Sequence, residues 1–151
     1  MGATLTAAAC GTPGPTTAHG TPGPETLACA KPCANAGGWI AELSDFRFNV
    51  SSSEEFMTPE AGNVFVTVYV TFINRSKDAD SASPVDFKLR SAGVEHNVDF
   101  TGPCSTWSSV AVTPGASYGP RCLAFQATAS ERTGLVVVWK PGLVRYDIPV
   151  S

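Results

Sequence analysis

The chain has 151 residues, a formal net charge of -3 and an isoelectric point of about 5.3, so it lacks the basic surface that nucleic-acid binding requires. Its length predicts one domain of ordinary size. Its 14 glycines, 12 prolines and 15% charged residues are typical of short strands joined by turns, and no stretch approaches the roughly 20 apolar residues that span a bilayer.

Residues 1–37 have the composition of a flexible tether, and residues 38–151 that of a globular domain. The tether holds two charged side chains, Glu25 and Lys31, and repeats Gly-Thr-Pro-Gly-Pro at 11–15 and 20–24. Proline suppresses regular pairing and glycine loosens the chain, so we expect no packed core in this segment.

The tether begins with a motif that resembles the end of a bacterial lipoprotein signal. Residues 5–11 read Leu-Thr-Ala-Ala-Ala-Cys-Gly, and in such signals small residues precede a cysteine that is lipidated. Ala7 stands where a large aliphatic residue is usual. We expect Cys10 to carry a lipid anchor, which would be the only attachment to a membrane, and the alternative is an unmodified cysteine in the tail.

The other four cysteines permit three disulfide pairings. Cys104 and Cys122 each lie at the margin of a predicted strand in one antiparallel neighbourhood, so we predict a bond between them. We predict a second, small-loop bond between Cys29 and Cys33. Because disulfides persist in oxidising compartments, the pattern indicates an extracytoplasmic protein, either secreted or anchored at the cell surface.

The strongest strand signal is the run Val-Phe-Val-Thr-Val-Tyr-Val-Thr-Phe-Ile-Asn at 64–74. Its even positions form an apolar stripe, which predicts a long strand in the middle of a sheet. Seven further segments have strand patterns: 39–50, 85–90, 94–100, 110–112, 118–127, 135–140 and 143–150. Eight short strands without a helix-length pattern predict an all-β, immunoglobulin-like sandwich of two antiparallel sheets, with about seven or eight strands.

Within these strands, several side chains have a predicted place. Val85 begins the apolar face of its strand, and Val94, His96, Val98 and Phe100 share a face of the next strand of a hairpin. Asn74, at the end of the central strand, is predicted to hydrogen-bond the backbone of the following loop. We expect any functional surface on the two polar connections beside this strand, 51–63 and 75–84.

Four pieces of the chain match a known pattern in their order, within a resemblance that runs from about Phe46 to the end and covers about two-thirds of the chain. The pieces are 62–76, 86–89, 112–115 and 123–125. In this order the chain resembles the telokin-like, immunoglobulin-fold domain of secreted bacterial proteins and lipoproteins, largely of unknown function. The resemblance implies an extracytoplasmic sandwich on a tether and supplies no catalytic residues.

Catalytic and metal-binding patterns are weak. The two histidines, His19 and His96, occur with no nucleophile motif, so we predict no enzyme activity and no cofactor. Cys29 and Cys33 with a histidine could hold copper or act in redox chemistry, but a disulfide fits them better. Asp78 and Asp80 are too few for the 6 to 8 oxygen ligands of calcium, so no metal is expected.

Aromatic residues leave a second possibility open. Trp39, Tyr69 and Trp107, together with Tyr118 and Trp139, are numerous for a small sandwich, and exposed rings stack on sugars. Most should be buried, with Tyr69 the best candidate for a partly exposed ring. Two exposed coplanar rings would support a carbohydrate-binding module.

The sequence as a whole favours a non-catalytic, extracytoplasmic domain that binds or presents a surface to a protein or envelope component. A carbohydrate or cell-wall binding module is the first alternative. A copper or thiol redox protein using Cys29 and Cys33 is the second. Asp78 and Asp80 remain possible binding residues together with the exposed aromatics.

Overall fold

The computed structural model describes residues 29–51 and 57–150. These residues form ten strands and a short 3-10 helix, Pro84–Asp86, and none of their helices is long and apolar enough to cross a membrane. The strands are β1 (Cys33–Ala36), β2 (Trp39–Val50), β3 (Asn63–Asn74), β4 (Asp80–Ala82), β5 (Phe87–Ser91), β6 (Val94–Asn97), β7 (Val110–Val112), β8 (Ser117–Thr128), β9 (Val136–Trp139) and β10 (Tyr146–Pro149).

Two four-stranded sheets form the predicted sandwich. The first sheet has the strand order β1-β2-β3-β8 and the second β10-β9-β5-β6, and every pairing is antiparallel. Strands β4 and β7 form a separate two-stranded ribbon. The predicted all-β fold class is therefore confirmed.

Strand β3 occupies the central position predicted for it. It pairs with β2 along one side and with β8 along the other. Its stripe of Val66, Val68, Val70 and Phe72 is buried between the sheets, as period-two alternation requires. The opposite face of β3 is also covered near its start, where Phe65 is buried.

A row of aromatic side chains crosses the core from one sheet to the other. Trp39 of β2 stacks on Phe72 of β3 with 5.2 Å between ring centroids, and Phe72 meets the edge of Phe87 at 5.8 Å. Phe87 stacks on Trp139 with 6.2 Å between ring centroids, and the centroid of Trp139 lies 5.5 Å from that of Tyr146. Within the part of the chain that the structure describes, the indole N–H groups of Trp39 and Trp139 have no hydrogen-bond partner.

Strand β1 extends the sandwich beyond the boundary predicted at residue 38. Residues 33–36 pair with β2, and Ala34 belongs to the buried core. The Asn35 side chain accepts a hydrogen bond from the Gly38 amide at 2.7 Å, which closes the turn between the two strands. Gly37 has φ +63° and Gly38 φ +98°, a conformation that glycine adopts without steric cost.

Two predicted strand faces are wrong. Val85 lies in the 3-10 helix and is 69% exposed, because Pro84 begins that helix and delays β5 to Phe87. Strand β6 ends at Asn97, so Val94 and Phe100 do not share a buried face; they are 58% and 46% exposed.

Asn74 joins three segments at one end of β3. Its Nδ2 donates to the backbone oxygens of Asp78 and Val112, both at 2.8 Å. Its Oδ1 accepts from the Ser76 amide at 2.9 Å and the Ser76 hydroxyl at 2.7 Å. The predicted hydrogen bonding of Asn74 to the loop backbone is confirmed, and it extends to the β4–β7 ribbon.

Candidate functional site

An open groove of about 520 Å³ runs along β6. Residues 95–101 form one wall, and Glu60, Asn63 and Gln126 form the other. We call this surface the β6 groove. It lies where the connection 51–63 enters β3, one of the two places at which the sequence predicts function.

The position of β6 follows from a tight turn. Ala92 and Gly93 both have positive φ, +47° and +80°, as a type I′ hairpin turn requires. The turn sets the register of β6 against β5, with Ser91 opposite Val94 and Leu89 opposite His96. Among the described residues β5 is the only neighbour of β6 in its sheet, so the other side of β6 faces the groove.

Gln126 of β8 connects the two walls of the β6 groove. Its Nε2 donates to Asp99 Oδ2 at 2.6 Å, and its Oε1 accepts from the Glu60 amide at 2.7 Å. Asp99 Oδ1 also accepts from the amide and hydroxyl of Thr101 at 2.8 and 2.7 Å. Burial acts to raise the pKa of Asp99, but these hydrogen bonds outweigh it and the pKa lies below its ordinary value.

The β6 groove is acidic. Glu60, Glu95 and Asp99 line it, and none of the described residues that line it is a lysine or arginine. Glu95 forms ion pairs with Lys88, at 3.6 Å, and with Arg145. Glu60 and Asp99 have no ion-pair partner among residues 29–51 and 57–150, so two carboxylates in the groove lack a paired cation.

The segment after β6 covers the free edge of β8. The Asp99 amide donates to the Ala124 oxygen at 2.7 Å, and Trp107 Nε1 donates to the Cys122 oxygen at 3.0 Å. The Cys104–Cys122 disulfide ties the segment to β8. A covered edge cannot pair with another chain.

A second recess, of about 300 Å³, lies at one end of the second sheet. We call it the β9 recess; Lys140 and the strongly exposed Val85 and Leu143 are among its lining residues. Leu143 is 97% exposed, because β10 begins only at Tyr146, later than predicted.

Beside the β9 recess, charged side chains are paired with one another. Asp147 contacts Arg90 at 2.8 Å and Arg145 at 2.9 Å. Burial acts to raise the pKa of Asp147, yet hydrogen bonds from Arg145 and Arg90 hold that pKa below its ordinary value. The hydrogen bond to Asp147 raises the pKa of Arg145. Because these charged groups are paired with one another, they are poorly suited to binding a charged ligand.

The structure does not bring the predicted binding residues together. Trp39 is buried in the core, and Tyr69 and Trp107 are half-buried. Asp78 and Asp80 are exposed near the Asn74 end of β3 and do not line the β6 groove. The predicted lipidation residue, Cys10, lies outside the described residues.

The predicted sugar-stacking surface is absent from the described part of the chain. Phe100 is the only strongly exposed aromatic residue there. Trp107 and Tyr118 are half-buried and tilted by 59°, with Arg121 4.6 Å from the Tyr118 ring centroid. No two exposed coplanar rings occur in residues 29–51 and 57–150. The feature that would support a carbohydrate-binding module is therefore not found in these residues.

Both predicted disulfides are confirmed. The Cα atoms of Cys29 and Cys33 are 6.2 Å apart, and those of Cys104 and Cys122 are 5.5 Å apart. The bond leaves Cys29 and Cys33 without the free thiolates that copper binding needs. No group of three potential metal ligands is found in the described ranges.

The β6 groove was not predicted from the sequence, because it depends on contacts between residues that are far apart in the sequence. Asp99 and Gln126 meet across 27 positions, and no local pattern indicates that contact. One local signal was present: in Asp99-Phe100-Thr101 the aspartate is placed to bond the amide two residues on, which marks an ordered corner rather than a continuing strand.

Comparison with known proteins gives a family and a fold. Residues 38–117 match the family described as "Domain of unknown function (DUF4352)". No curated protein matches the chain significantly.

Two solved structures from Bacillus subtilis are similar. The first, described as a "putative lipoprotein (ycdA)", has a TM-score of 0.59 and 14% identity over 80% of this chain. The chain spans only 39% of that protein's length, and at this identity the likeness extends to the fold alone. The yjhA protein has a TM-score of 0.49 and 12% identity, over 74% of this chain and 79% of its own. Because the family match covers more than half of the sequence, the chain belongs to the DUF4352 family.

Proposed function

We propose that the chain is a non-catalytic, extracytoplasmic binding domain whose partner is a protein or another component of the cell envelope. The observation that carries the proposal is the β6 groove, an open surface with two carboxylates, Glu60 and Asp99, that lack a paired cation among residues 29–51 and 57–150. An ordered but unpaired polar surface beside a free strand edge is suited to contact with a macromolecule.

The extracytoplasmic location is supported by two disulfides, which persist in oxidising compartments. It is further supported by the name of the similar Bacillus subtilis protein. The proposal includes a lipid anchor at Cys10, a tether over the segment before Cys29, and the telokin-like variant of the immunoglobulin fold for the sandwich.

The non-catalytic assignment is supported by the way the groove residues are used. His96 has no ion pair or hydrogen bond to a carboxylate in the described ranges. Asp99 is held by Thr101 and Gln126, and Glu95 by Lys88 and Arg145. General acid–base catalysis needs a titrating group that faces a reacting atom, whereas these carboxylates maintain the shape of the groove.

Site-specific photo-crosslinking in the native envelope tests the binding role. A photoreactive amino acid at Phe100, which is exposed in the β6 groove, should capture one discrete partner. The same amino acid at Thr133, an exposed residue outside the groove, should not. Equal capture from both positions, or none from Phe100, would contradict the assignment of the groove as the binding surface.

The lipid anchor has a separate test. Mass spectrometry of the protein from the membrane fraction should find a lipid-modified Cys10. An unmodified Cys10 in soluble material would remove the anchor and leave the binding role standing, because the two rest on different parts of the chain.

A further inference from the structure

The edge of β6 that faces the groove carries backbone groups with no partner in its sheet. In an antiparallel pair, hydrogen-bonded and non-hydrogen-bonded residue pairs alternate. A two-residue hairpin turn is closed by a hydrogen-bonded pair, here Ser91 with Val94. The next such pair is Leu89 with His96, so the backbone N–H and C=O groups of Glu95 and Asn97 point away from β5 and towards the groove.

The strand edges of β8 and β6 beside this groove differ in how they are covered. On β8, the oxygens of Cys122 and Ala124 accept hydrogen bonds from Trp107 and Asp99. Within the ranges that the structure describes, no segment donates to or accepts from the outward groups of Glu95 and Asn97. Natural sheets usually cover such edges or disrupt them, and an uncovered edge beside a groove can accept an added strand.

The charge of the groove determines what kind of strand fits. Glu60 and Asp99 have no paired cation among the residues that the structure describes, and hydrogen bonds from Thr101 and Gln126 hold the pKa of Asp99 below its ordinary value, which favours its charged form. Phe100, at 46% exposure, provides an aromatic face that attracts lysine and arginine. A strand with cationic side chains therefore complements this surface.

The sequence segments outside the described ranges do not have that charge. Residues 1–28 contain no lysine or arginine, and 52–56 read Ser-Ser-Glu-Glu-Phe. A second copy would bring its own Glu60 and Asp99 against the first pair. We propose that the β6 groove binds an extended, basic segment of a partner protein, which adds to β6 as a fifth strand of the second sheet. This inference rests on the binding function proposed above and specifies the partner chemistry.

Three eight-residue peptides separate the components of this proposal in a fluorescence anisotropy titration of the full chain. The Lys-Val repeat has both the charge and the backbone donors, the same repeat N-methylated at every residue keeps the charge but has no backbone donor, and the Glu-Val repeat reverses the charge. The Lys-Val peptide should bind at least tenfold more tightly than either of the others.

Two substitutions test the same points from the protein side. Asn97→Pro removes one outward N–H without removing a β5–β6 hydrogen bond, and should weaken the Lys-Val peptide about tenfold. Glu60→Gln should weaken it about two- to fivefold, the range for one exposed ion pair. The charge-matched control Asp45→Asn, at an exposed position outside the groove, should leave it unchanged. Thermal unfolding verifies that each variant is folded.

Several outcomes would overturn the inference. Equal binding of the N-methylated Lys-Val peptide would show attraction without strand addition, and equal binding of the Glu-Val peptide would show strand addition without charge selection. Binding of no peptide, or a chain that dimerises through β6, would reject a basic partner segment. Photo-crosslinking at Phe100 could still succeed in each case, so failure here is distinguishable from failure of the proposed function.

Discussion

Replacing Asn74 with alanine removes four hydrogen bonds made by a side chain that has no exposed surface. A typical hydrogen bond contributes about 1 kcal/mol net, more where the partner stays buried. The bond to the Val112 oxygen is buried, whereas the bonds to Ser76 and Asp78 involve groups that can regain water. We therefore expect Asn74→Ala to lower the free energy of unfolding by about 3 to 4 kcal/mol.

Urea denaturation followed by circular dichroism measures this loss. A domain of ordinary stability has about 5 to 15 kcal/mol in total, so Asn74→Ala should remain folded at low temperature with a much lower midpoint. Asn97→Ala is the control, because Asn97 is exposed and surface substitutions usually change stability by less than about 0.5 kcal/mol.

An aspartate at position 74 gives a second measurement, in which the stability order of the two variants depends on pH. Its carboxylate would direct an acceptor at the backbone oxygens of Asp78 and Val112, so Asn74→Asp should be less stable than Asn74→Ala at neutral pH. At acidic pH the protonated carboxyl can donate one hydrogen bond, and the order should reverse. If Asn74→Ala costs less than about 1 kcal/mol, Asn74 does not join the three segments energetically.

Three other perturbations have defined outcomes. Double replacement of Cys104 and Cys122 by serine should cost about 3 kcal/mol, as expected for a cross-link across 18 positions; an unchanged urea midpoint would contradict this. Gly102→Ala would place a Cβ 2.9 Å from the Ala124 Cβ, so thermal unfolding should show a loss of about 1 to 3 kcal/mol. Burial and then a nearby carboxylate raise the pKa of Asp86 above 3.8, so its ionised form destabilises the fold increasingly as the pH rises through that higher pKa. Asp86→Asn should thus stabilise by a few tenths of a kcal/mol at pH 7 and have no effect near pH 3, and a pH-independent difference would refute the argument.

Residues with strong local constraints allowed the sandwich to be predicted. The Val66 to Phe72 stripe is buried because alternation places it on one face, and the Ala92–Gly93 turn sets the hairpin that follows. Asn74 could be assigned correctly because a buried amide at a strand end satisfies nearby backbone groups.

Residues whose place depends on long-range contacts were not predictable. Strand β1 has no alternating pattern and exists because it pairs with β2. The β6 groove needs Asp99, Gln126 and Glu60 to meet. The predicted binding aromatics failed for a related reason, since the composition of a strand does not reveal whether a ring such as Trp39 faces the other sheet.

The fluorescence of the three tryptophans reports on the state of the sandwich. Trp39 and Trp139 lie in the aromatic row of the core, and Trp107 is hydrogen-bonded beside the Cys104–Cys122 disulfide. Residues 1–28 contain no tryptophan, so indole emission does not report on that segment. Reducing agent should first alter the contribution of Trp107, which is hydrogen-bonded to the backbone of a disulfide cysteine, while the two core indoles respond only when the sheets separate. One emission spectrum can thus distinguish opening of the β8 edge from loss of the whole domain.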